Sequence, residues 1–260
     1  MISTTTNSQP PKTVTTKLAL QVAAKDYNTE SLAANYHSFD FEQTSSSGDA
    51  AMFQIHERTL QSLDLTGKVV LEIGCAGGEH LKPLLNRGAA QLIGIDQSPQ
   101  FIDIARKAFS GSNSTTAQFL AADMHALPLE DNSVDILISR HCLHYSEDVR
   151  SIAAELSRVL RPGGQFIGVF NVVEMNSKSR YLEGPIASER WFPVFIDFGD
   201  RQFSARNCAA SSQEWFDALE ACGFEIGFAK QFDGNDKWNN TKVQYKHHAL
   251  ANLMTQTVHA

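Results

Sequence analysis

The stretch VVLEIGCAGGEH, residues 69–80, constrains this chain more than any other. An apolar, β-branched run, KVVLEI from Lys68 to Ile73, is bounded by Thr66-Gly67 before it and Gly74 after it. A short apolar run between turn signals reads as a strand of a parallel sheet, covered on both faces. Glycines follow at once, and a helix is expected from about Gly78 to Asn86. Glycine lets backbone approach a ligand closely, and a helix N-terminus offers free N–H groups.

The same rhythm repeats downstream. Gln91–Ile95 reads as a second strand ending at Asp96, and Ser98-Pro99 as the cap and first residue of a helix. Gln118–Ala121 is a third strand, ending at Asp123, and Val134–Ser139 a fourth. A helix over Glu147–Leu160 is closed by Arg161-Pro162-Gly163-Gly164 and followed by a strand at Gln165–Phe170. Strands alternating with helices imply an α/β fold, a parallel sheet with helices on both faces. Upstream, Asp49 to Leu63 has helical spacing, with Asp49 as its cap. Downstream, Ser211 or Ser212 caps a helix through Cys222, Phe224–Ala229 is a strand, and a last strand falls within 241–254. Residues 171–210 interrupt the rhythm with an aromatic-rich, irregular segment, the kind that often carries function.

Two features of the glycine loop select its ligand. A dinucleotide fingerprint reads G-x-G-x-x-G, and G-C-A-G-G from Gly74 does not fit it. Glu72, two residues before the first glycine, would repel a pyrophosphate. It suits a ligand bearing an ammonium and a sulfonium, which argues against a nicotinamide enzyme. Asp96 closes the second strand, where an acidic side chain can accept from both hydroxyls of a ribose. Asp123 closes the third, placed to accept from an adenine amino group; a solvated loop aspartate is the plainer alternative.

With these residues in place, segment 69–170 resembles the class I S-adenosylmethionine (SAM)-dependent methyltransferases. It is most similar to the broad ubiquinone/menaquinone-biosynthesis group. The resemblance rests on VVLEIGCAGGEH (69–80), LIGIDQSPQFIDIARK (92–107), AADMHALPLEDNSVDILISRHCLHY (121–145) and LSRVLRPGGQFIGVF (156–170). It implies a Rossmann-like, seven-stranded, mostly parallel sheet whose last strand is antiparallel. It places Glu72 near the methionine amino group, with Gly74, Cys75, Ala76 and Gly78 lining the loop. Asp96 would hold the ribose, Gln97 touch the adenine face, and Asp123 and the Met124 backbone bind the adenine. Ser139 and Arg140 would border the methionine end. Ala76 stands where the family carries its middle glycine, a mild departure expected to cost little binding.

A sulfonium is an activated donor, so such an enzyme mainly aligns nucleophile and methyl group. A base is needed only where the acceptor loses a proton. Arg140-His141-Cys142-Leu143-His144-Tyr145 follows the fourth strand, at the sheet end where ligands of open α/β folds bind. His141 and His144 are therefore candidate bases, with Arg140 and Tyr145 beside the acceptor. The alternative is that both imidazoles merely pack there. Tyr181, Arg190, Trp191, Phe192 and Phe195 are placed to line an apolar acceptor pocket under a lid over 171–210, or to form a satellite core. Tyr27, Tyr36 and His37 would close the site from an N-terminal cap over 18–63.

Composition bounds the rest. At 260 residues the chain suits one α/β domain over 18–260, with Thr/Ser-rich residues 1–17 as a disordered tail. A net charge of −7 without a dense Lys/Arg cluster argues against a nucleic-acid partner. Four cysteines without CxxC or zinc spacing suit a reducing cytoplasm and no metal site. No apolar run long enough to span a membrane is present. The leading expectation is a SAM-dependent methyltransferase for a small organic acceptor, at O, N or C, releasing S-adenosylhomocysteine. The alternatives are non-methylating SAM chemistry such as a cyclisation, or a non-catalytic partner subunit.

Overall fold

The computed structural model describes residues 47–111, 116–146, 148–173, 191–197, 202–208, 210–233 and 250–259. Its centre is a parallel sheet of five strands in the order β3-β2-β1-β4-β5. These are β1 (Val69–Ile73), β2 (Gln91–Asp96), β3 (Thr116–Ala121), β4 (Val134–Arg140) and β5 (Leu160–Val173). The register runs Leu71↔Ile93 on one side of β1 and Leu71↔Leu137 on the other. The strand order reverses between β1 and β4, which opens a crevice at their carboxyl ends.

Alternation along each strand sorts side chains onto two faces. Leu71 and Ile73 of β1 join Ile93, Ile95 and Leu137 in one core. Helices α3 (Val149–Val159) and α4 (Ser212–Ala221) cover it with Ile152, Leu156, Trp215 and Leu219. Val70 joins Leu92, Ile136, Ile138 and Ile167 on the other face, under α1 (Ser47–Ser62) and α2 (Pro99–Ala108). Helices thus lie on both faces, as a parallel sheet requires.

Helix starts follow their sequence signals. Ser98 caps α2, with Pro99 at its first position, and Asp148 caps α3. Ser211 caps α4 in a capping box with Glu214. Three expectations need correction. No α-helix follows the glycine loop; 78–86 is a run of turns with one 3-10 turn, Lys82–Leu84. Pro83 lacks an N–H, and Asn86 sits at φ +65°, so the helical ladder cannot propagate. Helix α1 begins at Ser47, which leaves Asp49 inside its first turn. Segment 171–210 is not irregular throughout: 171–173 extend β5, and β6 (Trp191–Asp197) and β7 (Gln202–Cys208) pair as an antiparallel hairpin. Its aromatic and β-branched residues favour extended backbone. Strands β8 (Phe224–Asp233) and β9 (Leu250–His259) complete the described elements. The 1–17 tail, most of the 18–63 cap, Tyr27, Tyr36, His37, Tyr181 and Arg190 lie outside the described residues. No described helix is long and apolar enough to cross a membrane.

Candidate cofactor and active site

The loop after β1 is shaped by backbone. Gly74 sits at φ +74°, and a Cβ there would collide with Cβ and Sγ of Cys142. Its N–H and that of Cys75 both donate to the Ile95 carbonyl, at 2.8 and 3.1 Å, which pins the loop to the end of β2. Gly78, at φ +84°, faces the Phe109 ring, 2.8 Å from where a Cβ would stand. Ala76 also lies in the left-handed region, at φ +44°. Its departure from glycine therefore costs conformational strain rather than space.

Two carboxylates meet at this loop. Asp96 accepts from Ala76 N–H at 3.1 Å and from Ser98 N–H at 2.9 Å. Burial pushes its pKa up to about 6, against those two hydrogen bonds. Each carboxylate oxygen retains a lone pair for a ribose hydroxyl. Glu72 is buried on the α1/α2 side of the sheet, and burial raises its pKa despite the nearby His80. Its Oε1 lies 2.9 Å from His80 Nδ1, while Oε2 is buried with no hydrogen-bond partner. A buried carboxylate oxygen left open in this way fits an ammonium donor.

The residues expected on the adenine side are arranged differently. Gln97 is exposed beside Asp96. Asp123 is exposed, with Oδ1 accepting from His125 N–H at 2.9 Å and lying 2.7 Å from His125 Nδ1. Partial burial opposes ionisation, but the His125 hydrogen bonds outweigh it and lower the Asp123 pKa. His125 Nε2 is in turn 2.8 Å from Ser146 Oγ. Met124 is partly buried and packs against the core.

At the end of β4, Ser139 is buried and its hydroxyl donates to the Ile73 carbonyl at 3.1 Å. It ties β4 to β1. Arg140 is 10% exposed and 3.6 Å from Glu57 of α1. His141, at φ +53°, donates its N–H to Val169 O of β5 at 2.6 Å. Its ring is 6.2 Å from that of His144, whose own ring packs against Tyr145, tilted by 50°, at 4.3 Å. Burial drives both imidazoles down, His144 to about 3 and His141 well below its ordinary value, with His144 and Arg140 adding to the latter. Both are neutral at pH 7 and weak proton acceptors. The structure brings Glu72, the glycine loop, Asp96, Arg140, His141 and His144 to one end of the sheet. Trp191 and Phe195 lie on β6, whose side chains are not described. No group of three or more potential metal ligands occurs among the described residues.

Sequence reasoning missed His56. It is fully buried on α1, its ring 6.4 Å from that of His80. The only local signal is its place one turn before Leu60, on the helix face that packs on the sheet.

Residues 71–168 match the methyltransferase domain family. That segment is a methyltransferase domain. Its cofactor is SAM, and the open Glu72 oxygen, the paired glycine turn and Asp96 fit that ligand. The chain is 29% identical to a sterol 4-C-methyltransferase of Caenorhabditis elegans over 49% of its length and 38% of the relative's. It is 34% identical to a tRNA U34 carboxymethyltransferase of Saccharophagus degradans over 42% and 34%. The chain thus spans only about a third to two fifths of such curated relatives. Among solved structures, the [4+2]-cyclase SpnF superposes with TM-score 0.59 at 17% identity, covering 79% of this chain and 80% of that one. A geranyl diphosphate C-methyltransferase of Streptomyces coelicolor, bound to S-adenosylhomocysteine, gives TM-score 0.59 at 13% identity over 80% and 81%. At these identities the methyltransferase domain shares their fold.

Proposed function

We propose that this chain transfers the methyl group of SAM to a small organic acceptor, at O, N or C, by in-line displacement. The observation that carries the reading is the pair of carboxylates at the loop, Glu72 with one buried oxygen unpartnered and Asp96 held by the Ala76 N–H. In this reading Glu72 Oε2 takes the cofactor's ammonium and Asp96 its ribose hydroxyls. Gly74, Cys75, Ala76 and Gly78 form the floor, Asp123, Met124 and Gln97 surround the adenine, and Ser139 and Arg140 border the methionine end. SAM supplies an activated methyl group, so the chain's task is alignment and exclusion of water. His141, His144 and Tyr145 wall the acceptor site, and a neutral His144 takes a proton only from an acceptor already acidified in the transition state.

The reading extends to the rest of the chain. We infer one domain with an N-terminal cap and a lid within 171–210, contributing Tyr27, Tyr36, Tyr181, Trp191 and Phe195 to the acceptor side. A seven-stranded sheet with β9 antiparallel between β5 and β8 is supported by the pairing of Phe166 with Thr257 and of Ala229 with Thr255. The resemblance to the ubiquinone/menaquinone group bears on the acceptor only as a class.

A tRNA acceptor is the second reading, favoured by the tRNA-modifying relative. The net charge of −7 weighs against it, because phosphate contacts dominate nucleic-acid affinity. Titration calorimetry of the full chain with SAM and S-adenosylhomocysteine tests the cofactor site. Binding of both, weakened in Asp96→Ala, supports it; binding of neither removes the catalytic reading. Release of S-adenosylhomocysteine with small acceptors but not with tRNA then decides between acceptors.

A further inference from the structure

Asp123 is an exposed carboxylate that the fold nonetheless holds in place. Ala122 N–H donates to the Asp96 carbonyl at 3.0 Å, so the chain leaving β3 passes the end of β2 and brings Asp123 beside it. Ala126 N–H closes the next turn on the Asp123 carbonyl at 3.1 Å, and His125 N–H donates to Asp123 Oδ1 at 2.9 Å. The His125 ring folds back, with Nδ1 2.7 Å from the same oxygen. A carboxylate only accepts, so Nδ1 carries a proton. Oδ1 thus takes two donors, while Oδ2 has no hydrogen-bond partner among the described residues.

The far edge of the ring is held too. Nε2 lies 2.8 Å from Ser146 Oγ, and that oxygen accepts the Asp148 N–H at 3.0 Å. With Nδ1 protonated, the neutral ring accepts the Ser146 O–H at Nε2. Ser146 closes the 3-10 turn Leu143–Tyr145, and Asp148 caps α3. His125 therefore spans from the turn after β3 to the loop after β4. An Asp-His-Ser chain is also the order of a nucleophilic triad. Here Ser146 is 1% exposed and its oxygen already takes the Asp148 N–H, so it serves as an anchor.

The anchor matters because the Asp123 side chain is 70% exposed. A side chain so exposed samples several rotamers, and a ligand that needs one of them loses affinity in ordering it. Bracing from both edges of the ring removes that loss and fixes the direction of Oδ2. An oxygen presented in this way pairs with an amino group and gains nothing from a C–H in its place.

We propose that His125 is a positioning residue for the cofactor's base: anchored on Ser146, it fixes the Asp123 carboxylate toward an exocyclic amino group and so sets selectivity for adenine. The inference rests on the reading of this crevice as SAM-binding, with Asp123 on the adenine side.

The test is titration calorimetry on the full chain, wild type against His125→Ala, His125→Asn and Ser146→Ala. The ligands are S-adenosylhomocysteine and its analogue with the purine 6-amino group replaced by hydrogen. Wild type should prefer S-adenosylhomocysteine by about tenfold or more. His125→Ala should lose most of that preference while binding the analogue as wild type does, which also shows that the variant is folded. His125→Asn keeps a donor near the Nδ1 position and should recover part of the preference. Ser146→Ala leaves the ring its bond to Asp123 but no anchor, and should lose part of it. Equal losses for both ligands would mean that His125 only braces the loop, and would overturn the inference. So would an unchanged preference in His125→Ala or Ser146→Ala, or equal binding of both ligands by wild type; each leaves the SAM reading intact. Failure of wild type to bind either ligand overturns both.

Discussion

The proposed cofactor side and the proposed acceptor side of this crevice are built from different materials. After β1 and β2 the geometry is set by backbone: Gly74 and Gly78 at positive φ, two N–H groups on the Ile95 carbonyl, and a third on Asp96. After β4 it is set by packing. His141 is held by β5, Arg140 faces Glu57 of α1, and His144 lies against Tyr145. Backbone geometry is encoded in a few adjacent residues. The ionisation of His141 and His144 depends instead on what buries them, and those groups come from distant parts of the chain. The first region should therefore govern cofactor affinity, and the second turnover.

The sharpest way to break this contrast is Gly74→Ala. The new Cβ meets Cys142 Sγ at 2.6 Å in a left-handed backbone. Denaturant unfolding should show a loss of about 2–4 kcal/mol, together with loss of SAM binding. A stable variant with normal affinity would mean that backbone does not shape this side. Asp96→Ala comes next, weakening SAM binding by about 1–3 kcal/mol in calorimetry through lost ribose hydrogen bonds.

Solution pH probes the same carboxylate. Ribose hydroxyls donate best to ionised Asp96, whose pKa before binding is raised to about 6. Binding favours the charged form and releases a proton. SAM affinity should hold above pH 6 and fall as pH drops through it, by up to about tenfold per unit. A flat profile between pH 5 and 8 would place the ribose elsewhere.

On the acceptor side, His144→Phe keeps volume and should leave SAM affinity within about 0.5 kcal/mol of wild type. With His144 neutral down to about 3, its removal should erase no titration step near pH 6.5 in the turnover profile. A step there that vanishes in the variant would establish His144 as a base of ordinary strength. The smallest effect is Ala76→Gly, which relieves φ +44° and should change stability by less than about 1 kcal/mol, toward stabilisation.

The loop after β1 and the strand ends beside it were largely legible because each of their signals is local. A β-branched run gives β1, Ser98-Pro99 starts α2, and strand-end carboxylates give Asp96 and Asp123. The absent helix after the loop was legible in principle, since Pro83 within it already argues against it. Other features were not. That Ser139 would bond across to Ile73, or His125 take up Asp123 and anchor on Ser146, depends on pairings between segments. His56 on its helix reads as an ordinary polar residue, and only its packing makes it an open, buried imidazole.

The sequence by itself determined the α/β alternation, the glycine turn and the acidic residues at or near the ends of β1 to β3. Periodicity, turn chemistry and strand ends are properties of neighbouring residues. Tertiary structure alone decided which imidazoles are buried, which carboxylate oxygen is left without a partner, and which helix faces the crevice. Burial and electrostatic field are sums over residues far apart in the chain.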